Sequence, residues 1–325
     1  MKDRVTRKEK FCYILTNLGN VPVQAILGSY LLIYYTNVVG LNPGACATLF
    51  LIARIMDGLN DPIVGFLIDH RKTTKMGHFR PTLIMGAILC GLNFMLLWMG
   101  PYIATGGKLF IAYVSYLLIG IIFPIMDISL NSMLPVMTAD ASERNTLSSI
   151  KGITLLLGVF GINIIAPILI GNSSEAKGYF TLIIVAVFMI IVFSVIGTLG
   201  LKERVQINQE QKKYRFVDLI EIIKQKPVWS TFLCGLLYTT GTYIVNASNT
   251  YFYTYVLNNL MILSLSSLIQ MFAMIPATIL APVLILKMGK KNAYIFGLFC
   301  FGIFPVVRII LSLIHISEPT RLALI

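Results

Sequence analysis

The chain contains nine long apolar segments separated by short polar stretches, and this alternation is the feature that most limits its fold. The segments cover approximately residues 11–39, 45–68, 82–100, 109–137, 147–170, 179–200, 228–256, 260–286 and 292–310. A helix of about 20 apolar residues crosses the hydrocarbon core of a bilayer. Because lipid cannot satisfy exposed backbone groups, segments of this length must be helices. We therefore predict an all-α polytopic membrane protein.

The charges are distributed unevenly between alternate loops. Hydrophobic residues make up 57% of the chain and charged residues 12%, compared with about 45–50% and 25% in soluble proteins. One set of loops carries 21 of the 26 Lys and Arg residues, whereas the other set carries only Lys108 and Lys177. By the positive-inside rule, we expect a cytoplasmic N-terminus. The net charge of +12 is then explained by contact with anionic lipid, and we expect no nucleic-acid partner.

The longest hydrophilic stretch, 201–227, follows the sixth apolar segment. It separates a six-helix N-terminal half at 1–200 from a partial C-terminal half at 228–310, which holds helices seven to nine. Two repeated halves are a common organisation of secondary transporters. Within the central loop, residues 215–224 have apolar side chains at helical spacing, which predicts an amphipathic helix on the cytoplasmic surface.

The final residues, 311–325, differ in character from the rest of the chain. The polar run Glu318-Pro-Thr-Arg321 interrupts a helix that has only just begun. The string from Leu311 onward resembles the translation of a transposase adapter used in sequencing libraries. We therefore expect 311–325 to be a non-native tail and the second half to lack three helices.

A cluster of charged and polar residues occurs in the middle of the second apolar segment: Arg54, Asp57, Asn60 and Asp61. A charge at the centre of a membrane helix costs about 2.5–3.5 kcal/mol, so such residues face a cavity, a partner or an ion. Asp57, Asn60 and Asp61 share one helix face because they are three and four residues apart. Two nearby carboxylates repel each other unless they share a cation or a proton. Their hard oxygen ligands suit Na⁺, Li⁺ or H⁺, and Arg54 is expected to be a structural or gating partner.

Single charges also occur in the fourth and fifth segments, at Asp127 and Lys151. A carboxylate and an ammonium on neighbouring helices can bind sugar hydroxyls, since each hydroxyl is both a donor and an acceptor. The alternative is a salt bridge that stabilises the half-bundle. Both interpretations stay open at this stage.

Tyrosines cluster in the seventh segment and at Tyr34 and Tyr35. For Tyr34, Tyr35 and residues 251–255 we predict an interfacial aromatic belt, with stacking on a sugar ring as the alternative. The five cysteines show no CxxC spacing and are interpreted as small buried hydrophobes. No nucleophile–base pair, phosphate loop or zinc site is visible, which argues against an enzyme.

Several stretches together resemble one transporter family over residues 1–310. They are Tyr34-Tyr-Thr-Asn-Val-Val-Gly40, Ala53–Gly65, Gly77-His-Phe-Arg-Pro81, Ile125-Met-Asp-Ile128, Asp140–Arg144 and Lys226-Pro227. The chain is similar to the glycoside–pentoside–hexuronide (GPH):cation symporters of the major facilitator superfamily. The resemblance implies a major facilitator bundle that imports a sugar by alternating access, coupled to Na⁺, Li⁺ or H⁺. It implies no other cofactor, and a monomer in the bacterial inner membrane.

The resemblance also assigns a role to the charged cluster of the second segment. Asp57, Asn60 and Asp61 match the cation site of the family. The same family supplies a lysine from its eleventh helix, which has no counterpart in this sequence.

For the sugar site, the resemblance assigns Asp127 and Lys151 to sugar contacts, although arginine is usual at the second position. The family's first-helix acid would fall at Asn20 or Val21, and an aromatic residue of the fourth helix is replaced by Asn131.

Two further arginines, Arg80 and Arg144, match gating and loop-anchoring positions of the superfamily, with ordinary positive-inside charge as the alternative. The departures at the sugar site keep two alternatives open: a carrier of a lipid-like or drug-like solute, or a non-functional truncated fragment.

Overall fold

The computed structural model describes residues 4–104, 106–171, 175–205, 225–257, 259 and 261–317. Its helices are α1 (Arg7–Ile33), α2 (Pro43–Asp69), α3 (Arg80–Ile103), α4 (Lys108–Met137), α5 (Ala141–Gly171), α6 (Glu175–Phe188), α7 (Ser194–Gly200), α8 (Lys226–Tyr251) and α9 (Met261–Ser317). Short π-helical turns follow α1, α6 and α8, at Tyr34–Val38, Met189–Phe193 and Phe252–Val256. The described residues form no strand, only an isolated bridge between Thr74 and Gly77. The predicted all-α fold is confirmed.

Two predictions concern residues outside this described part. The amphipathic helix expected at 215–224 lies within residues 206–224, which the structure does not describe, and the same holds for residues 318–325 of the expected non-native tail.

Local sequence signals explain where several helices begin. At the start of α1, the Thr6 hydroxyl accepts from the Glu9 amide at 3.3 Å, and the Glu9 carboxylate accepts from the Thr6 amide at 2.8 Å. This reciprocal capping box satisfies backbone donors that have no partner within the helix. Asn42 caps α2 with its side chain alone: its Oδ1 accepts from the amide nitrogen of Gly44 at 2.8 Å. Three helices also carry a proline in their first turn, which lacks the unpaired amide: Pro43, Pro81 and Pro227.

The chain divides into two compact units, Met1–Ser267 and Leu268–Ile325. In the first unit, α1 contacts α5, α7 and α8, while α3 packs against α4, α6 and α7, and α2 packs against α4. The second unit contains the rest of α9, whose backbone leaves the helical conformation at Gly289 (φ 76°). This break lies between the eighth and ninth predicted segments. The domain boundaries at 200, 227 and 310 stay predictions.

Among the described residues, five helical stretches are long and apolar enough to cross a membrane. They are Arg80–Ile103, Lys108–Met137, Thr146–Gly171, Ala176–Gly200 and Lys226–Tyr255. α1 and α2 have 27 residues each, but polar residues in α1 and the charges of α2 lower their mean hydropathy. The protein is therefore a multi-pass membrane protein.

The prediction of an interfacial belt is wrong for Tyr34 and Tyr35. Both side chains are completely buried in the first unit. The Tyr34 hydroxyl donates to the carbonyl of Trp98 at 2.8 Å, and the Tyr35 hydroxyl donates to the carbonyl of Leu97 at 2.9 Å. The Tyr34 ring also lies 4.9 Å, centroid to centroid, from the ring of Tyr179. The two tyrosines, which directly follow α1, therefore contact α3 through hydrogen bonds and α6 through a ring contact. Burial of both hydroxyls is tolerated because each donates to a carbonyl inside the protein.

Candidate functional site

A cavity of about 230 Å³ lies beside the middle of α2. It is lined from α1, α2, α4 and α8 by Val23, Gln24, Leu27, Arg54, Asp57, Asp61, Tyr116, Ile119, Gly120, Phe123, Pro124 and Tyr243. The three charges that the sequence places in the second membrane segment therefore face one cavity. This is the arrangement that the cost of intramembrane charge requires.

Asp57 has two close neighbours in the cavity. Arg54 Nη1 lies 3.3 Å from Asp57 Oδ2, and the side chains keep 47% and 32% of their surface exposed. A partly exposed ion pair of this kind contributes about 0–1 kcal/mol. On the opposite side, a Cβ placed on Gly120 of α4 would lie 2.5 Å from Asp57 Oδ1. Only glycine at position 120 leaves room for the carboxylate to lie against α4.

Arg54 also contacts an aromatic ring. Its Cζ lies 4.1 Å from the centroid of the Tyr243 ring, which belongs to α8. A cation–π contact contributes about 0.5–2 kcal/mol, depending on how far it is desolvated. For this guanidinium, the ring is thus a partner at least comparable to the Asp57 carboxylate.

Asn60, the third residue predicted for a cation site, is not among the residues that line the cavity. Its amide nitrogen is buried and makes no hydrogen bond. Leaving a buried polar group without a partner costs about 1–3 kcal/mol, so this amide has unused hydrogen-bonding capacity.

The residues predicted to bind sugar form one hydrogen-bonded network. Asn20 is buried in α1 and donates through Nδ2 to Asp127 Oδ1 at 2.5 Å. Asn131 donates through Nδ2 to Asp127 Oδ2 at 2.9 Å, and Lys151 Nζ donates to Asn131 Oδ1. We call these four residues the Asp127 network. Since Asn131 bridges the two charges, the direct Asp127–Lys151 salt bridge considered as an alternative does not form.

The cavity and the Asp127 network are neighbours along two packed helices, α2 and α4. A Cβ on Gly120 would meet Asp57, and a Cβ on Gly65 would lie 4.0 Å from Ile128 Cδ1. Asp61 of α2 and Asp127 of α4 lie along their helices between these two contacts.

Arg80 and Arg144 do not line the cavity. The Arg80 guanidinium donates to the carbonyls of Thr198 and Leu199 at 3.2 and 3.0 Å, at the end of α7. Arg144 donates through Nη2 to the carbonyl of Thr138 at 3.2 Å, while its Nε is buried without a partner. Arg80 therefore binds the carbonyl groups at the negative end of a helix dipole. A gating role for either residue stays a prediction.

Two adjacent residues of opposite charge that follow α7, Glu203 and Arg204, were not singled out from the sequence. The Glu203 carboxylate accepts from the backbone amides of His78, Phe79 and Arg80 at 2.7, 2.9 and 3.0 Å. These amides begin α3, and a carboxylate is stabilised at a helix N-terminus. The signal in the sequence was the adjacent pair of opposite charges directly after an apolar segment.

Arg204 makes the second half of this connection. Its Nη2 lies 2.8 Å from both carboxylate oxygens of Glu9, and its Nη1 donates to the carbonyl of Met137 at 3.3 Å. Its backbone amide donates to Val136 at 2.8 Å. We call Glu9, Glu203 and Arg204 the basic-end clasp, because they join helix ends among the Lys- and Arg-rich loops. The Thr6–Glu9 capping-box spacing predicts the cap but not the pairing with Arg204.

The clasp changes the acidity of Glu9. Burial by itself raises the pKa of this carboxyl group. The hydrogen bonds from Arg204 and Thr6, with the positive charge of Arg204, outweigh burial and hold the pKa below its ordinary value.

Comparisons with known proteins agree with this architecture. A family model described as MFS/sugar transport protein matches residues 12–324. The isoprimeverose transporter of Lactiplantibacillus pentosus is 29% identical over 91% of this chain and 63% of its own length. A glucuronide carrier protein homolog of Escherichia coli is 26% identical over 88% of this chain and 63% of its own length. A Salmonella typhimurium protein, named as a proposed exporter of 2,3-dihydroxypropane-1-sulfonate, is 29% identical over 91% of this chain and 66% of its own length.

The chain spans 63% to 66% of the length of these relatives. The family match, however, extends over nearly the whole chain and includes both the cavity and the Asp127 network. The chain therefore belongs to the MFS/sugar transport protein family, of the glycoside–pentoside–hexuronide type.

Proposed function

We propose that this protein is a cation-coupled sugar symporter that imports a glycoside, pentoside or hexuronide by alternating access. It works in the bacterial inner membrane as a monomer with a cytoplasmic N-terminus, and its coupling ion is Na⁺, Li⁺ or H⁺. The observation that carries the proposal is the placement of Asp57 and Asp61 on one cavity, on a helix that packs against the Asp127 helix. The names of two relatives, an isoprimeverose transporter and a glucuronide carrier protein homolog, agree with a sugar substrate.

The charges in the cavity favour a monovalent cation. Among the Asp, Glu, Lys and Arg residues of the lining, Asp57 and Asp61 carry one negative charge each and Arg54 one positive charge. One monovalent cation, or one proton on a carboxyl group, makes this set neutral. Carboxylate oxygens are the ligands that hard cations prefer. Asn60 lies one residue before Asp61 but outside the cavity lining. As a third ligand it would have to supply its amide oxygen, because its unpaired atom is the amide nitrogen, a donor.

The Asp127 network favours a polyhydroxylated substrate. Asp127 supplies acceptors, Lys151 supplies donors, and the amides of Asn20 and Asn131 supply both. A sugar hydroxyl replaces Asn131 between the carboxylate and the ammonium, since it donates to one and accepts from the other.

Coupling follows from the packing of α2 against α4, the helix that carries Asp127. A cation bound at Asp57 and Asp61 places a positive charge on that side of α2, where it attracts the Asp127 carboxylate and holds it in place as an acceptor for sugar hydroxyls. Sugar affinity therefore rises when the cation is bound. By thermodynamic linkage, the sugar must raise cation affinity by the same factor.

Uptake of labelled sugars into proteoliposomes, driven by an inward Na⁺ gradient or by a matched K⁺ gradient, tests this function. We expect Na⁺ to stimulate uptake by the wild type, and Asp57→Asn to remove the stimulation while the protein still inserts. Asp69→Asn, at the end of α2 and outside the cavity lining, is the matched control. Full Na⁺ stimulation in Asp57→Asn would contradict the assignment.

A second candidate is transport of an organic anion that is not a sugar. Lys151 contacts an amide in the Asp127 network and not a carboxylate, so its charge is available to an anionic group. The sulfonate named for the Salmonella typhimurium relative has this chemistry. A competition panel of neutral sugars, hexuronates and sulfonates separates the two candidates. A chain that responds to no cation and no solute would be a non-functional fragment.

A further inference from the structure

Among the described tyrosines of α8, Tyr243 is the one that lines the cavity. Its ring faces the Arg54 guanidinium at 4.1 Å from centroid to Cζ. The edge of the ring lies against α1, where a Cβ placed on Gly28 would be 3.0 Å from Tyr243 Cε1. Tyr243 is 37% exposed, and its ring lies beside both α1 and the guanidinium.

Because of where Arg54 lies along α2, it matters which acid its guanidinium contacts. Arg54, Asp57 and Asp61 are separated by three and four residues and share one face of the helix. In the observed position, Arg54 pairs with one carboxylate, that of Asp57, at 3.3 Å. A guanidinium has five donors in a planar fork and can bind two carboxylates at once. An unrestrained Arg54 is therefore an internal competitor for the place of a cation between Asp57 and Asp61.

We propose that Tyr243 is a positioning residue of the cation site: its ring holds the Arg54 guanidinium beside Asp57, so that a monovalent cation and not Arg54 bridges Asp57 and Asp61. This inference rests on the proposed function, because it requires a cation at that place. It also gives Tyr243, in the seventh segment, a role different from an interfacial belt and from stacking on a sugar. Tyr243 acts through Arg54 and does not itself bind the ion.

Two predictions follow from this mechanism. Removal of the aromatic face in Tyr243→Leu or Tyr243→Met releases Arg54 toward Asp61, and the Na⁺ concentration at half-effect rises about twofold to thirtyfold, the range that a cation–π contact allows. Tyr243→Phe keeps the ring face, so it behaves like the wild type. Once Arg54→Gln has removed the competitor, the same change at Tyr243 no longer affects Na⁺ affinity.

The test is a double-mutant cycle on the full chain purified in detergent. The melting temperature is measured against Na⁺ concentration, with choline holding the ionic strength constant, for wild type, Tyr243→Leu, Arg54→Gln and the double variant. Tyr243→Met replaces Tyr243→Leu if the latter does not fold, and Tyr238→Leu in the same helix, outside the cavity lining, is the matched control.

The outcomes are distinct. A wild type that responds to neither Na⁺ nor Li⁺ overturns the inference, because no metal cation then bridges Asp57 and Asp61. It overturns the proposed function as well if a proton gradient also fails to drive sugar uptake. A wild type that responds, with Tyr243→Leu and Tyr243→Met unchanged, overturns the inference alone. An equal loss of Na⁺ affinity with and without Arg54 also overturns it, because the ring would then act by packing. Loss of affinity only when Arg54 is present, with Tyr243→Phe like the wild type, supports the inference.

Discussion

The basic-end clasp and the charged residues of the cavity, Arg54, Asp57 and Asp61, both place acids beside an arginine. The two groups differ in how deeply the charges are buried and in how many partners they have. In the clasp, the Glu9 and Arg204 side chains keep 4% and 18% of their surface exposed, and both carboxylate oxygens lie 2.8 Å from Arg204 Nη2. In the cavity, Arg54 and Asp57 share one contact of 3.3 Å and remain partly exposed. Satisfied, buried charges connect helices, whereas incompletely paired charges beside a cavity can bind a ligand.

The largest effect is expected at the clasp. Arg204→Leu leaves the Glu9 carboxylate buried without its charged partner, and loss of one member of a buried pair costs about 3–5 kcal/mol. We expect a strongly lowered melting temperature in detergent. Arg54→Leu, which breaks the pair in the cavity, is the matched control. An equal loss of stability in the two variants would contradict the comparison.

Gly77 offers a second way to disturb the clasp. Its φ of 114° is unfavourable for other residues, and a Cβ there would lie 2.5 Å from the Glu203 carboxylate. Gly77→Ala should cost about 1–3 kcal/mol of unfolding free energy. In a Glu203→Ala background the steric part is absent, so thermal unfolding of the double variant should show less than the sum of the two losses. Strict additivity would mean that Glu203 does not occupy the space beside Gly77.

The acidity of Glu9 predicts a smaller effect that depends on pH. Its pKa is lower in the folded protein than the ordinary value of 4.5. A lowered folded-state pKa means that the contribution to stability is complete above the unfolded pKa and is lost as the pH falls through the folded one. Melting temperature measured from pH 7 down to pH 3 should therefore decline below about pH 4.5. Glu9→Gln should flatten that decline, and an unchanged profile would contradict the prediction.

The smallest effect on stability is expected in the cavity. Arg54→Gln removes a partly exposed ion pair that contributes about 0–1 kcal/mol. We expect the melting temperature without added cation to stay close to that of the wild type. A loss as large as that of Arg204→Leu would show that Arg54 is a structural residue, and would remove the contrast between the two regions.

Much of this architecture is predictable from the sequence, because membrane insertion depends on local properties. Runs of about 20 apolar residues must be helices in lipid, and the helices of the structure follow the predicted segments. The cost of charge in a membrane likewise singles out Arg54, Asp57 and Asp61, and all three line a cavity. The family resemblance directed attention to Asn20, Asp127, Asn131 and Lys151, which the structure joins in one network.

The partners across helices were decided only by tertiary structure. Tyr243 meets Arg54 from 189 positions away in the chain, Arg204 meets Glu9 from 195, and Asn131 lies between Asp127 and Lys151. Tyr34 and Tyr35 were expected in an interfacial belt but are buried, because carbonyls of α3 lie within reach of their hydroxyls. Hydropathy and periodicity show which face of a helix is polar. Which side chain of another helix meets that face depends on how the helices pack, and spacing along the chain does not contain that information.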